Sequence, residues 1–180
     1  MTPELRLNLG AGNVRLEGYA SVDRYAADAD IRADLFVLPW AWADGSVEAV
    51  AMHHFLEHVW DVGGTLREVH RILRPGGEFW VKVPHYRAIY GMAMAHRSMW
   101  SWAKVADIGW ADDCFAGASY RFRRMSQRFR FTVKMTKRRV PWVMIPLLEW
   151  AANVNPWAWE WLGMPCDEME WVGVKTNAEG

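Results

Sequence analysis

Two glycines and a carboxylate carry the chemistry most plainly written in this chain of 180 residues. Alternating apolar residues in Leu5-Arg6-Leu7-Asn8-Leu9 run into Gly10-Ala11-Gly12, and a second short run, Ser21-Val22, ends in Asp23. A buried parallel strand needs the apolar run, and a backbone that must crowd a ligand needs residues without Cβ. A carboxylate at the end of the next strand can accept hydrogen bonds from ribose hydroxyls. Together these parts make a nucleoside-binding crevice at the carboxyl edge of an open α/β sheet.

Histidines supply the next chemistry. His54-Phe55-Leu56-Glu57-His58 spells H-x-x-E-H, a pattern in which one helix can present two histidines to zinc. The pattern here places His54 at a strand end and Glu57 at a helix start, which breaks that geometry, so no metal is expected. Glu57 and His58 read as structural. Cys114 and Cys166 stand alone without metal or redox spacing, which points to a reducing, cytoplasmic compartment.

These residues need elements to position them. Short apolar runs bounded by Gly, Asp or Pro predict strands at Leu5–Leu9, Tyr19–Asp23, Ile31–Leu35, Val47–His53 and Glu78–Val83. Leu66, Val69, His70 and Leu73 recur at helical spacing, so a helix fits Val62–Leu73, stopped by Arg74-Pro75-Gly76-Gly77. Ten residues between Gly12 and Asp23 are too few for a full crossover helix, so the first crossover is shortened. An irregular insert runs from 85 to about 126, a basic strand is expected at Arg128–Met135, and a Trp-rich helical stretch at Trp142–Trp161. A last strand at Met169–Lys175 would join the basic one as an antiparallel edge.

Length and composition fit one domain over 1–180. Net charge is +0 and the pI is near 7.0, which argues against bulk attraction to nucleic acid. The N-terminus lacks a signal-peptide pattern, and no apolar run is long enough to span a bilayer. Of 13 tryptophans, seven follow residue 105. They offer a hydrophobic lid, a homodimer surface, interfacial anchoring at a membrane, or packing beneath the last strands. The tract Arg121–Arg139 carries nine basic residues and no acid, with Phe122, Phe129 and Phe131 interleaved. It reads either as an anion or nucleic-acid surface, or as a strand with basic residues out and aromatics in.

The ordered set of motifs resembles the class I S-adenosylmethionine-dependent methyltransferases, closest to the small bacterial methyltransferase-domain (type 11-like) group. The residues that carry the likeness are Asn8–Gly12, Val22-Asp23, Ala33-Asp34-Leu35 with Leu38-Pro39, Asp44–Val47 leading to His54–His58, and Leu66–Gly77. The resemblance implies an α/β, Rossmann-like methyltransferase fold with a mostly parallel sheet. It implies S-adenosylmethionine as cofactor, held by Asn8, Leu9, Gly10, Ala11, Gly12, Asp23, Arg24, Asp34, Leu35, His53 and His54. Gly10 and Gly12 would approach its methionine portion and ribose, Asp23 would take the ribose hydroxyls, and Asp34 and Leu35 would frame the adenine. His53 or His54 would lie beneath the methionine portion. Two positions depart from the pattern: Asn8 replaces an acid, and Val14 replaces the third glycine.

Methyl transfer from a sulfonium is an in-line displacement at carbon, for which the protein aligns the nucleophile and excludes water. An oxygen nucleophile of low acidity needs a base near neutrality, which points to histidine. His85 directly follows the fifth strand, and the resemblance implies His96 in the insert as the other catalytic candidate, with Tyr86 and Trp100 shaping the acceptor pocket. By the same resemblance 1–84 is the cofactor-binding core, and 85–126 and 140–166 are acceptor-side elements. The acceptor class implied is a small molecule or a glycan, methylated on oxygen or on nitrogen. Two alternatives remain: a degenerate, non-catalytic binding or scaffold protein, and a nucleic-acid methyltransferase using the basic tract. A dehydrogenase is disfavoured because Arg15 breaks G-x-G-x-x-G.

Overall fold

The computed structural model describes residues 5–109, 120–131, 144–164 and 166–176. Seven strands build one sheet: β1 (Arg6–Leu9), β2 (Ala20–Asp23), β3 (Ile31–Arg32), β4 (Val47–His53), β5 (Leu73–Pro84), β6 (Phe122–Arg130) and β7 (Glu168–Lys175). Their order is β3-β2-β1-β4-β5-β7-β6. β1 to β5 pair in parallel, and β7 runs antiparallel to both β5 and β6. The reversed strand therefore lies inside the antiparallel margin, and β6 forms the edge. The α/β architecture, the mostly parallel sheet and the shortened first crossover are all as the sequence implies.

β1 passes to β2 without a helix. Gly10 and Ala11 instead donate to Val22 O (2.9 and 3.1 Å), and the Asn8 side-chain amide donates to Val14 O at 3.1 Å. An aspartate at position 8 could not make that last bond, because an ionised carboxylate only accepts. The amide thus braces the loop that replaces the missing helix.

α1 (Val62–Ile72) makes the β4-to-β5 crossover. Asp61 caps it by accepting from Gly64 N at 2.7 Å, and Leu66, Val69 and Ile72 are buried. The helix ends because Leu73 turns extended, not at the glycines: Leu73 already pairs with Val47, and the next register pair is Ala49 with Glu78. Arg74–Gly77 is looped out of the strand between those pairs. Opposite, Arg71 clamps the loop before β4 through Glu68, Asp44 and the carbonyls of Trp40 and Trp42.

β6 begins at Phe122, six residues ahead of the expected strand, and the part of that expectation beyond Phe131 lies outside the described residues. Phe122 and Phe129 both point into the core although they stand an odd number of residues apart. Strict alternation cannot bury both. A register shift between Arg124 and Ser126 resets the phase, and Arg123, Arg124 and Arg128 face solvent. The basic tract is therefore, over its described part, a strand with aromatics in and arginines out. The Trp-rich stretch divides into α3 (Ile145–Val154) and α4 (Pro156–Trp161), with α2 (Trp102–Ala106) earlier in the insert. Trp159 packs against the core, whereas Trp150, Trp157 and Trp161 are exposed. Trp142, Cys114 and Lys134 to Arg139 fall outside the described residues. No helix among the described residues is long and apolar enough to cross a membrane.

Packing of the β6 edge on α1 carries a pH consequence. His70 stacks against Phe122 and Tyr120, and burial first, then nearby Lys175, pushes its pKa down from 6.5 to about 4. The unfolded chain takes this proton near pH 6.5 and the folded chain only near 4, so the contribution is complete above 6.5 and is lost as pH falls through that window. The full shift corresponds to about 3 kcal/mol, which solvent screening of this partly exposed ring reduces to the order of 2 kcal/mol. His70→Phe should flatten the acid limb in urea unfolding measured between pH 6.5 and 4.

Candidate active site

A cleft of about 650 Å³ opens at the carboxyl ends of β1, β2 and β4. Gly10, Ala33, Leu35, Phe36 and Phe55 line its apolar part, Asp23 stands on its wall, and Tyr25 and Trp60 are exposed at its rim. Gly10 has φ 71°, and a Cβ there would overlap the Phe55 ring. Only glycine lets the β1 turn lie this close to the aromatic floor. Phe55 reaches that position because His54 adopts φ 56°, a left-handed conformation uncommon outside glycine, which ends β4 abruptly.

Asp23 is pre-set for a polyol. Its carboxylate accepts from Gly12 N (2.9 Å), Tyr25 N (2.7 Å) and Ala26 N (2.9 Å). Partial burial pushes its pKa up, but these three donors outweigh it and hold the group below the ordinary carboxylate range. It is a fixed anion with lone-pair capacity to spare. Asp34 does not reach the cleft lining: it pairs with Arg24 at 2.5 Å and accepts from Phe36 N at 3.1 Å. It shapes the Leu35-Phe36 turn and orients Arg24, which does line the cleft.

The histidine pair at the end of β4 also turns away. His53 stacks edge-on against Trp80 at 4.3 Å, and burial, then Lys82, pushes its pKa down to about 4. His54 bonds Glu168 at 2.9 Å and lies 3.4 Å from Glu57, carboxylates that push its pKa up to about 9. His54 is thus a cation that ties β4 to the start of β7, and neither residue is among those lining the cleft. The H-x-x-E-H segment does not form one helix. His54 closes the strand and Leu56–His58 make a single 3-10 turn.

That turn places a residue the sequence gave a structural role: His58 lines the cleft, beside Ala95 and Arg97 from the insert. The insert is strapped on by Arg97 N and Ser98 N donating to Glu57 O (2.6 and 3.2 Å), and Arg97 lies over Trp60 at 4.4 Å. His96 meets His58 edge-to-face at 4.9 Å. The His-Phe-Leu-Glu-His lettering hid this role, because only the strap from 95 to 98 turns the 3-10 segment into a cleft wall.

His85 sits elsewhere. It is 1% exposed, its Nε2 donates to Glu160 at 2.9 Å, and its Nδ1 accepts from Arg87 N at 3.3 Å. Burial pushes its pKa down. Glu160 also accepts from Trp102 N at 2.9 Å, so the pair staples β5, α2 and α4 together. Tyr86 stacks on His85, and Trp100, also 1% exposed, bridges it by backbone pairing. These three form a packed wall behind the insert. His85→Ala should lower the thermal midpoint by several degrees, a cost of about 2 kcal/mol for orphaning Glu160, with cofactor affinity by calorimetry unchanged.

A sheet in this order, with a glycine turn, a backbone-held aspartate and an apolar cleft at the carboxyl edge, is the fold shared with solved methyltransferase structures. Residues 11–81 match the family model described as a methyltransferase domain. Over that stretch the chain carries a methyltransferase domain. No curated protein matches it. Among solved structures it is similar to an S-adenosylmethionine-dependent methyltransferase from Archaeoglobus fulgidus (TM-score 0.56, 13% identity, 97% of this chain and 87% of that one). It is also similar to a chain of the Haloferax volcanii complex of the Trm112 methyltransferase activator with a methyltransferase (TM-score 0.53, 17% identity, 97% and 84%). Phosphoethanolamine N-methyltransferase 2 of Haemonchus contortus, in complex with S-adenosyl-L-methionine, matches with TM-score 0.57 and 13% identity over 98% of this chain and 50% of that one. At these identities the likeness is one of fold.

The residues present fit S-adenosylmethionine, the cofactor that the sequence resemblance implies. Asp23 offers a fixed anion, the Gly10 turn leaves space no side chain fills, and Asn8 Oδ1 is a buried acceptor without a partner.

Proposed function

We propose that this chain methylates an oxygen of a small or glycan-like acceptor, which docks where the cleft meets the insert. When bound, the cofactor would supply a methyl group on a positively charged sulfur, so transfer would break one C–S bond and form one C–O bond, leaving a neutral thioether, while the hydroxyl proton passes to a base at the cleft wall. Asp23 would hold the ribose, Gly10 and Gly12 would admit the backbone contact, and Leu35 with Phe55 would border the adenine. Asn8 Oδ1 accepts from the ammonium group, which meets the one hydrogen bond that oxygen lacks. Trp60 and Arg97, stacked at the rim, offer an aromatic face and a cation to a polar acceptor.

The observation that carries the oxygen assignment is the His58–His96 pair at the cleft wall. His58 Nδ1 lies 3.1 Å from Ala95 O and His96 Nδ1 3.3 Å from Gly91 O. A carbonyl only accepts, so each neutral ring carries its proton on Nδ1 and keeps a free lone pair on Nε2. Free imidazole lone pairs at the cleft wall are what a hydroxyl needs as proton acceptors and a free amine above its pKa does not. S-adenosylhomocysteine release measured over a panel of hydroxylated glycans and small alcohols tests this. Turnover on a hydroxyl acceptor that falls at least 100-fold in His96→Ala is expected. Methylation only of amines, indifferent to His96, would overturn it.

A further inference from the structure

We propose that Glu57, His58 and His96 bind one divalent cation of the zinc type at the wall of the cofactor cleft. Each residue offers a ligand atom, and these atoms lie within 4.8 Å of one another. Glu57 is 1% exposed, and its Oε2 is buried with no hydrogen-bond partner, while its other oxygen faces His54 at 3.4 Å. A buried carboxylate oxygen left bare is costly, so a ligand there has a physical reason to bind.

The two histidines are prepared in the way metal ligands are. Each spends its Nδ1 proton on a backbone carbonyl, Ala95 O or Gly91 O, which fixes the ring and leaves Nε2 unprotonated. Both anchoring carbonyls belong to the insert, and the insert is itself held by Glu57 O. Two imidazoles and one carboxylate suit zinc or another intermediate divalent ion better than magnesium or calcium, which favour all-oxygen sets. Bonds of about 2.0–2.1 Å to a tetrahedral ion put ligand atoms roughly 3.4 Å apart, within the span that these three atoms occupy.

Three protein ligands leave one position open, the pattern of a catalytic rather than a structural zinc. His58 is also a cleft residue, so the open position belongs to the acceptor side. The ion's role rests on the methyltransferase assignment above and takes over, in the loaded protein, the base role that the free His58 and His96 lone pairs have without it. The ion would hold the acceptor hydroxyl and lower its pKa, with the proton released to water. The site takes only Glu57 and His58 from the H-x-x-E-H lettering. His96, far along the chain, replaces His54, which is engaged by Glu168.

Tag-free protein, stripped with chelator and exchanged into metal-free buffer, is titrated with zinc against a chromophoric competitor, and cobalt(II) is read by its visible absorption. One equivalent per chain with sub-micromolar affinity is expected, with tetrahedral cobalt bands. His96→Ala and Glu57→Gln should each weaken zinc by about 100-fold, and His54→Ala should retain it. If buried Glu57→Gln unfolds by circular dichroism, half-buried His96→Ala and the parent protein decide the matter. Absence of saturable one-to-one binding overturns the proposal, as does loss in His54→Ala with retention in His96→Ala. S-adenosylmethionine titrated into the same samples separates the two claims. Zinc without cofactor binding sinks the enzyme assignment alone, and cofactor without zinc sinks the metal site alone.

Discussion

Asp23→Ala is expected to weaken S-adenosylmethionine binding by about 100-fold, or roughly 2.7 kcal/mol, when both proteins are titrated by calorimetry. The carboxylate is held by three backbone N–H groups before any ligand arrives. Its bonds to ribose hydroxyls would be charge-assisted, and such bonds are worth about 1.5–3 kcal/mol each. The same substitution strips the turn after β2 of its acceptor, so stability should fall by about 1 kcal/mol as well. Asp23→Asn separates the effects, since one oxygen remains to serve the turn while the charge is gone. Its affinity should lie between the other two, with most of the stability recovered. Unchanged affinity in Asp23→Ala would remove the ribose contact from this residue.

Gly10→Ala should be the more disruptive change. An alanine at φ 71° costs about 1–2 kcal/mol in the left-handed region. Its methyl would also overlap the Phe55 ring, which is 8% exposed and packed on Phe36 at 5.5 Å. Phe55 must move, and with it the cleft floor. We expect a stability loss of about 3 kcal/mol and cofactor affinity reduced beyond 100-fold. Gly12→Ala is the control: its φ is 50°, but nothing lies within 4 Å of the added carbon. It should cost only the conformational 1–2 kcal/mol. Equal effects at the two positions would show that backbone strain, not the Phe55 contact, governs the site.

His85 and His96 look alike in the sequence, each following the fifth strand at a place where a ligand cleft opens. Their surroundings part them. Glu160, Arg87 and Trp102 come from α4, β5's exit and α2, and their convergence makes His85 a staple. No local pattern announces that convergence, because the contacts span up to 75 residues. His58 was hidden in the opposite way, as a neighbour of Glu57 in a familiar motif whose meaning depends on whether the segment is one helix. The φ 56° turn at His54 decides that it is not.

By itself the sequence determined the parts governed by local periodicity and glycine chemistry. Alternating runs specify buried strands at 6–9, 20–23 and 47–53, the i, i+3, i+4 spacing specifies α1, and ten residues between Gly12 and Asp23 forbid a crossover helix. The glycine turn and Asp23 follow from the same local rules, since each acts from the end of its own strand. Tertiary structure alone decided which polar side chains remain free for ligands. Asp34 is taken by Arg24, His54 by Glu168 and His85 by Glu160, whereas Glu57, His58 and His96 are gathered with unspent lone pairs. Availability is set by partners distant in the chain, and short-range patterns carry no information about them.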